Sequence, residues 1–302
     1  MSTGVQTGTA ASSSELALPQ RQQRSEFSRA FKRFRRFKPG VVALIYLMLL
    51  MVVAIVPGVF EPYSYQATEP ANRLASPSWD NPMGTDDIGR DILSRVIRGT
   101  RVAFIVALAA TAIALTIGIT VGAVAGYFGG WIDSVLSRLV DSLMAFPTIV
   151  LLLTLAQVVG PGIGTTVGVI GGTVWAQYAR VVRAEFLSAR ERDFVLAARA
   201  AGASSSRIIL RHILPNILGP IVVISSLAIG GIIIFEATLS FLGLGVQPPT
   251  PSWGSMLAAA RPYIENYPHT PLAPGLMIFL TVLAFNLLGD GLRDALDPRQ
   301  RE

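Results

Sequence analysis

The sequence predicts an all-α, polytopic membrane protein with six transmembrane helices, on three observations. Of 302 residues, 51% are hydrophobic and only 15% charged, with a mean hydropathy of +0.52, so polar surface is too scarce to solvate a soluble globule of this size. Apolar segments at roughly 41–60, 102–126, 140–159, 163–182, 217–240 and 274–290 come near the length of about 20 residues that a spanning helix needs. Arginine and lysine crowd the stretch before the first segment and the connection between the fourth and fifth, whereas 243–273 holds only Arg261, the asymmetry expected between cytoplasmic and outer loops. The chain has no cysteine, which excludes a disulfide framework and a thiolate metal site. The net charge of +6 would suit nucleic acid, but the cations lie beside apolar runs, which points to a membrane surface instead.

The elements follow in order. Met1 to Gln23, rich in Ser, Thr, Ala and Gln, reads as a disordered tail. In SEFSRAFKRFRRFKPG, Phe27, Phe31 and Phe34 recur at helical spacing among Arg29, Lys32, Arg33, Arg35, Arg36 and Lys38. Residues 1–40 are therefore a cytoplasmic tail carrying a basic amphipathic helix on an anionic leaflet, or else a flexible basic tail. The run after Arg35-Arg36 ends in VPGVFEP without a small-residue cleavage site, so it is no export signal. The first transmembrane helix is placed at 41–60, and residues 61–101 form an extracytoplasmic loop and amphipathic helix. In GTDDIGRDILSR, Ile88, Ile92 and Val96 make one stripe, and Asp87, Asp91 and Arg95, four apart, are candidate ion-pair partners beside Arg90. This segment supports a gate and a receptor-docking surface, or is a solvated helix with ordinary surface pairs.

The third and fourth spans are separated only by GPGIG, which predicts a tight hairpin. Gly118, Gly122 and Gly126 in the second span, and Gly164, Gly168 and Gly172 in the fourth, are spaced for close helix packing in lipid. Glu236 falls near the outer end of the fifth span; a carboxylate there faces protein or water, as a gate or a packing hydrogen bond rather than as a substrate ligand. Asp290 near the inner end of the last span is expected to order the helix exit with Arg293. The Pro-rich loop VQPPTPSWGSM, with Trp253, is expected to be a rigid extracytoplasmic cap and a docking candidate. An even number of spans puts both termini, including the tail 291–302, in the cytoplasm.

The polar stretch RDFVLAARAAGASSSRIILRHILPN, Arg192 to Asn216, interrupts this apolar pattern on the cytoplasmic side. Asp193 is a plausible N-cap, Gly202 fits the left-handed residue that ends a helix, and Ser204 or Ser205 can cap a second helix that Pro215 interrupts. Phe194, Ala197, Ala198 and Ala201 share a shallow face of the first helix, suited to a docking body or to lying on lipid.

The pattern Ala197-Ala198, three residues, Gly202, then Ile213 to Pro215 resembles the cytoplasmic loop signature of permease subunits in binding-protein-dependent ABC importers. There the motif opens Glu-Ala-Ala; here Leu196 holds the glutamate position, and His212 a position where isoleucine is common. MGTDDIGRDILSRVIRGTR, EATLSFLGLGVQPPTPSWGSML and NLLGDGLRDALDP narrow the resemblance to the C-type permease subunit of the oligopeptide, dipeptide and nickel branch. It implies a type I ABC importer transmembrane fold over residues 102–290. Its coupling loop, 183–216, would meet an ATPase subunit through Phe194, Leu196, Ala197, Ala198, Arg199, Ala201, Gly202, Arg207, His212 and Pro215. Implied partners are a second, homologous permease in a heterodimer, two ABC ATPase subunits, an extracytoplasmic solute-binding protein and the lipid of a prokaryotic inner membrane, with no nucleic acid. ATP and Mg belong to the ATPases; this chain is implied to be non-catalytic, with no metal and no cofactor of its own. The implied cargo is di- or oligopeptides, the alternative being nickel or another small solute.

Other classes fit less well. The chain has no G-x-x-x-x-G-K-[ST] phosphate loop, so energy must come from another protein. A secondary transporter would want ionisable groups across several spans, and few are present. His212 and His269, the only histidines, are expected on opposite sides, and neither H-E-x-x-H nor G-x-S-x-G occurs, which argues against a membrane enzyme.

Overall fold

The computed structural model describes residues 31–296; the polar tail, Phe27, Arg29 and the last six residues lie outside them. Within that span the chain is helical, with no strand and a single isolated bridge between Thr85 and Asp91. Helix α1 is Lys38–Ile55. It starts three residues before and ends five before the span read from hydropathy, because Pro57 opens a separate turn, Pro57–Phe60.

The outer segment from Glu61 is irregular up to α2, Ile92–Phe128. Here the expected amphipathic helix is corrected. Gly84 and Gly89 take φ of 76° and 81°, and the Asp86 carboxylate accepts from the N–H groups of Ile88 (3.1 Å) and Arg90 (2.9 Å), folding a local turn. Asp91 is the N-cap of α2, accepting from the Ser94 amide at 2.7 Å. Asp87, Asp91 and Arg95 therefore do not share a helical row. At 37 residues and about 1.5 Å each, α2 extends past a hydrocarbon core of about 30 Å.

The expected third span is also corrected, since it is broken. Helix α3, Gly130–Met144, and α4, Thr148–Val159, meet at 85°. Pro147 disfavours helical backbone at Phe146 and supplies no N–H, so the helix cannot run through. Alone, the 12 residues of α4 give about 18 Å of helix, too short to cross.

Helix α5, Ile163–Ala189, packs along α2. The α2 glycines permit this: a Cβ at Gly118 would lie 2.5 Å from the Tyr178 Cβ, at Gly122 2.6 Å from the Ala179 carbonyl oxygen, and at Gly126 2.6 Å from the Phe186 Cβ. The second glycine series is corrected, because positions Gly164, Gly168 and Gly172 face open space, and Gly171 is the α5 glycine pressed against Ile113 and Ala110.

Helix α6, Asp193–Ala200, is followed by a helical tract, Ser205–Ile217, that runs into α7, Leu218–Phe241. Helices α8, Trp253–Ala260, and α9, His269–Leu296, complete the chain. Four helical runs among the described residues are long and apolar enough to cross a membrane: α1, α2, Ser205–Phe241 and α9. The bent α3–α4 pair makes five if it counts as one. Helix α5 is not among them. It is rich in Gly and Thr, and it buries Ile170, Tyr178 and Phe186 in protein rather than presenting them to lipid.

Two apolar clusters hold the molecule. The larger joins α1, α2, α4, α5, α7 and α9 through residues such as Leu47, Val106, Leu152, Ile170, Ile233 and Phe285. The smaller sits under the polar stretch: Val182, Phe186 and Ala189 of α5 meet Val195, Ile208, Ile213 and Ile217.

Candidate coupling site and the elements tied to it

Three residues separate α5 from α6. Arg192, extended at φ −79° and ψ 148°, is the N-cap position of α6, and Asp193 is its first helical residue, where its charge complements the helix dipole rather than capping by a side-chain bond. The expectation for Asp193 is corrected by one position. The helix ends in a Schellman arrangement: Gly202, at φ 78°, donates to Arg199 O at 3.0 Å, and Ala203 donates to Ala198 O at 3.1 Å. Ser204 then caps the second helix, accepting from the Arg207 amide at 3.4 Å. Across Ile208–Ile213 the helix widens to the π form, tightens to 3-10 at Leu214–Ile217 around Pro215, and becomes α7. Asn216 donates to the His212 carbonyl at 2.6 Å across this transition.

Burial divides the unit into a root and a face. Val195 and Ile208, both nearly solvent-free, are seated on Phe186 of α5. Phe194, Leu196, Ala197, Arg199, Ala201, Gly202 and Arg207 are exposed, while Ala198 and His212 are half-buried. The structure thus presents a rigid two-helix elbow with an apolar root and a shallow outer face. The Arg199 guanidinium lies 6.0 Å from the Tyr127 ring of α2, a second tether at cation–π distance.

Immediately behind the elbow, α3 is strapped to α5. Asp133 is clasped by Arg183 through two oxygens, one at 2.7 Å, and it also accepts from Ser137 at 3.1 Å. Asp141, two turns on, pairs with Arg180 at 2.7 Å. Beneath these pairs is a cavity of about 190 Å³ lined by Val121, Gly122, Ser137, Val140 and the two arginines. Residues eight apart on α3 share a face, so one edge of that helix carries both carboxylates to α5. Arg190 adds a bond from its guanidinium to the Gly126 carbonyl at 3.3 Å.

At the opposite end, α8 folds back between α7 and α2. Trp253 is fully buried, and its indole donates to the Val96 carbonyl at 3.2 Å. Gly254 abuts the α7 backbone at Ala237. One turn away, Glu236 is 1% exposed and its Oε1 accepts from Ser240 at 2.8 Å, a contact that joins α7 to the loop because Ser240 also accepts from the Val246 amide. Trp253 as a docking residue is therefore corrected: its whole surface is spent inside the protein. Asp91 and Arg95 are likewise buried, Arg95 reaching Asp86 at 3.4 Å, and Arg90 is tied to Asp86 at 2.6 Å and to Asp87 at 3.8 Å. These residues stiffen the outer segment. A pair missed in the sequence, Arg98 with Glu61 at 2.7 Å, fastens the start of the outer segment to α2, with the Tyr65 ring 4.5 Å from the same guanidinium. Asp290 is exposed and makes no ion pair with Arg293, which corrects its expected role.

Residues 118–302 match the family described as the binding-protein-dependent transport system inner membrane component. The chain belongs to that family. Residues 25–77 match the N-terminal transmembrane domain of oligopeptide transport permease C, so the permease is of the C type. The dipeptide transport system permease protein DppC of Alkalihalophilus pseudofirmus is 43% identical to the permease over 238 residues, covering 79% of this chain and 78% of that one. The di/tripeptide permease protein DppC of Pseudomonas aeruginosa is 40% identical, covering 75% of this chain and 77% of that one. The glutathione transport system permease protein GsiD of Shigella flexneri is 49% identical, covering 74% of each. A solved structure of the MetNI methionine ABC transporter in inward-facing conformations aligns 68% of the permease with 98% of one of its chains, at a TM-score of 0.56 and 17% identity, a likeness of fold. The permease is thus a non-catalytic, multi-pass inner-membrane subunit of an ABC importer, which works with an ATPase and a substrate-binding protein.

Proposed function

We propose that the permease forms, with a second and homologous permease, the pathway for short peptides handed over by an extracytoplasmic binding protein, and that two ATPase subunits drive it through the α6 elbow. The observation that carries this reading is the elbow itself, a helix pair with an apolar root on α5 and an exposed, shallow outer face. The relatives named for dipeptides, di/tripeptides and glutathione support a peptide cargo. Both termini and the elbow are placed in the cytoplasm, on the arginines at 180, 183, 190, 192, 199, 207 and 211. ATP and Mg stay with the ATPases, and this chain contributes motion. Reconstituted with all partners, it should take up a radiolabelled dipeptide only when ATP is present. Uptake by the permease alone, or a protease-accessible elbow on the outside, would overturn the proposal.

Force applied at α6 passes directly into α5, and α5 is strapped to α3, so the elbow cannot swing without moving or breaking the Arg183–Asp133 clasp. Alternating access needs two discrete packings, and an ion pair that is made in only one of them biases the pair of states. Asp133→Asn is expected to lower uptake per ATP hydrolysed several-fold while leaving assembly with the ATPases intact. The reversed pair, Asp133→Arg with Arg183→Asp, should recover part of it. An unaltered transport-to-hydrolysis ratio in the single variant would show that the clasp is not on the path.

A further inference from the structure

The cations just before and at the first residue of α1 are left unused by the transport reading. Lys32, Arg35, Arg36 and Lys38 are all exposed, and none forms an ion pair with a described residue. They are not on a loose strand. Phe34 is only 7% exposed, and its ring, with that of Phe37, is pressed on Gly291 near the end of α9: a Cβ at Gly291 would lie 2.8 Å from Phe37 and 2.9 Å from Phe34. Phe37 also fills the notch left by Gly40 at the start of α1, 2.6 Å from where a Cβ would be. Phe31, 54% exposed, is left on the outer side of this wedge. The wedge therefore holds four cations, none ion-paired to a described residue, at a fixed place where two helices long and apolar enough to cross a membrane meet, the start of α1 and the last turns of α9.

We propose that this wedge-mounted cluster is a binding site for the headgroups of anionic phospholipid in the adjoining leaflet. The chemistry is that of guanidinium and ammonium groups meeting phosphate at a membrane boundary, where each cation adds attraction and an exposed aromatic ring enters the interface. The wedge adds preorganisation: two phenylalanines fix the spacing of the charges, so that lipid binding costs little ordering of the chain. Anionic lipid held there ties the α1 and α9 ends to one membrane depth while α5 and the elbow move. The site depends on the wedge and its charges, not on the cargo.

The test uses the assembled importer in nanodiscs containing phosphatidylcholine with a minor share of phosphatidylglycerol, reading the phosphatidylglycerol retained after gentle extraction by native mass spectrometry. Replacing Lys32, Arg35, Arg36 and Lys38 together by Gln should lower its enrichment by about tenfold or more. Gly291→Leu, which displaces the rings and keeps every charge, should also lower it, by a smaller factor. In the unaltered importer, enrichment should fall steeply as salt is raised, a measurement that does not depend on how the variants fold. Equal retention in the Gln variant, or salt-insensitive retention, would overturn the proposal. Unchanged lipid retention with loss of the ATPase subunits would overturn it too, assigning the patch to a protein partner.

Discussion

Gly202→Val should leave the permease inserted and assembled but reduce ATP-driven uptake by roughly an order of magnitude. At φ 78° Gly202 sits in the left-handed region, which a β-branched residue enters only at a cost of about 1–3 kcal/mol. Nothing lies within 4 Å of the position a Cβ would take, so a clash contributes nothing and the strain is purely of the backbone. The chain relieves it by opening the turn, which sacrifices the bonds of Gly202 to Arg199 O and Ala203 to Ala198 O and lets α6 swivel on its root at Val195. A lever with a loose elbow transmits less displacement into α5. Gly202→Asn discriminates this from any other defect, because asparagine tolerates the left-handed region; it should retain most of the coupling. The measurement is peptide taken up per ATP hydrolysed in proteoliposomes, and a Val variant equal to the parent would mean that force does not pass through this turn.

What the sequence made legible follows from how local the signal is. The left-handed Gly202, the cap at Ser204 and the packing glycines of α2 are each dictated within a few residues, by chirality, an orphan amide or a required close approach, and the structure has all three. Readings that needed a partner across space fared worse. Gly164, Gly168 and Gly172 have the same spacing as the α2 series, yet the helix they lie on meets α2 through Gly171, so spacing proposed a face that tertiary packing did not choose. The fourfold spacing of Asp87, Asp91 and Arg95 looked helical, but Asp86 and Asp91 spend their carboxylates on nearby amides, and side-chain competition for the backbone delayed the helix to Ile92. Pro147 carried the warning that the third span would break, and the hydropathy window averaged over it. Tryptophan gave the sharpest reversal: Trp253, expected at a docking surface, is fully buried, whereas Trp79, between Pro77 and Pro82 in SPSWDNP, stands fully in solvent on the outer segment. Pattern distinguishes amphipathic from apolar segments; it does not say which of two tryptophans finds a pocket. The α3–α5 clasp was illegible for the same reason, since Asp133 and Arg183 are fifty residues apart in sequence.

Gly254→Val should strongly destabilise the outer half of the permease. A Cβ at Gly254 would stand 2.1 Å from the Ala237 carbonyl oxygen, 2.7 Å from its Cα and 2.8 Å from its carbonyl carbon. All three are backbone atoms of α7, so no rotamer change relieves the overlap and α8 must lift. Overpacking of this kind costs about 1–3 kcal/mol when side chains can yield, and more where backbone must move. Lifting α8 withdraws the Trp253 ring from the groove at Gly99 and breaks its bond to Val96 O. It also loosens the cover beside Glu236, so water reaches a carboxylate now held almost entirely in protein. Trp253→Phe separates the contributions, since it keeps an aromatic ring in the groove and loses chiefly one hydrogen bond, worth about 1 kcal/mol. Thermal unfolding of the detergent-solubilised permease should therefore rank parent, Trp253→Phe and Gly254→Val in falling order of Tm. With Trp79, Trp131 and Trp175 replaced by Phe, the remaining emission should shift to the red in Gly254→Val alone as Trp253 meets water. A Gly254→Val protein with parental Tm and a blue, buried emission would mean that α8 is not seated on α7 by this contact.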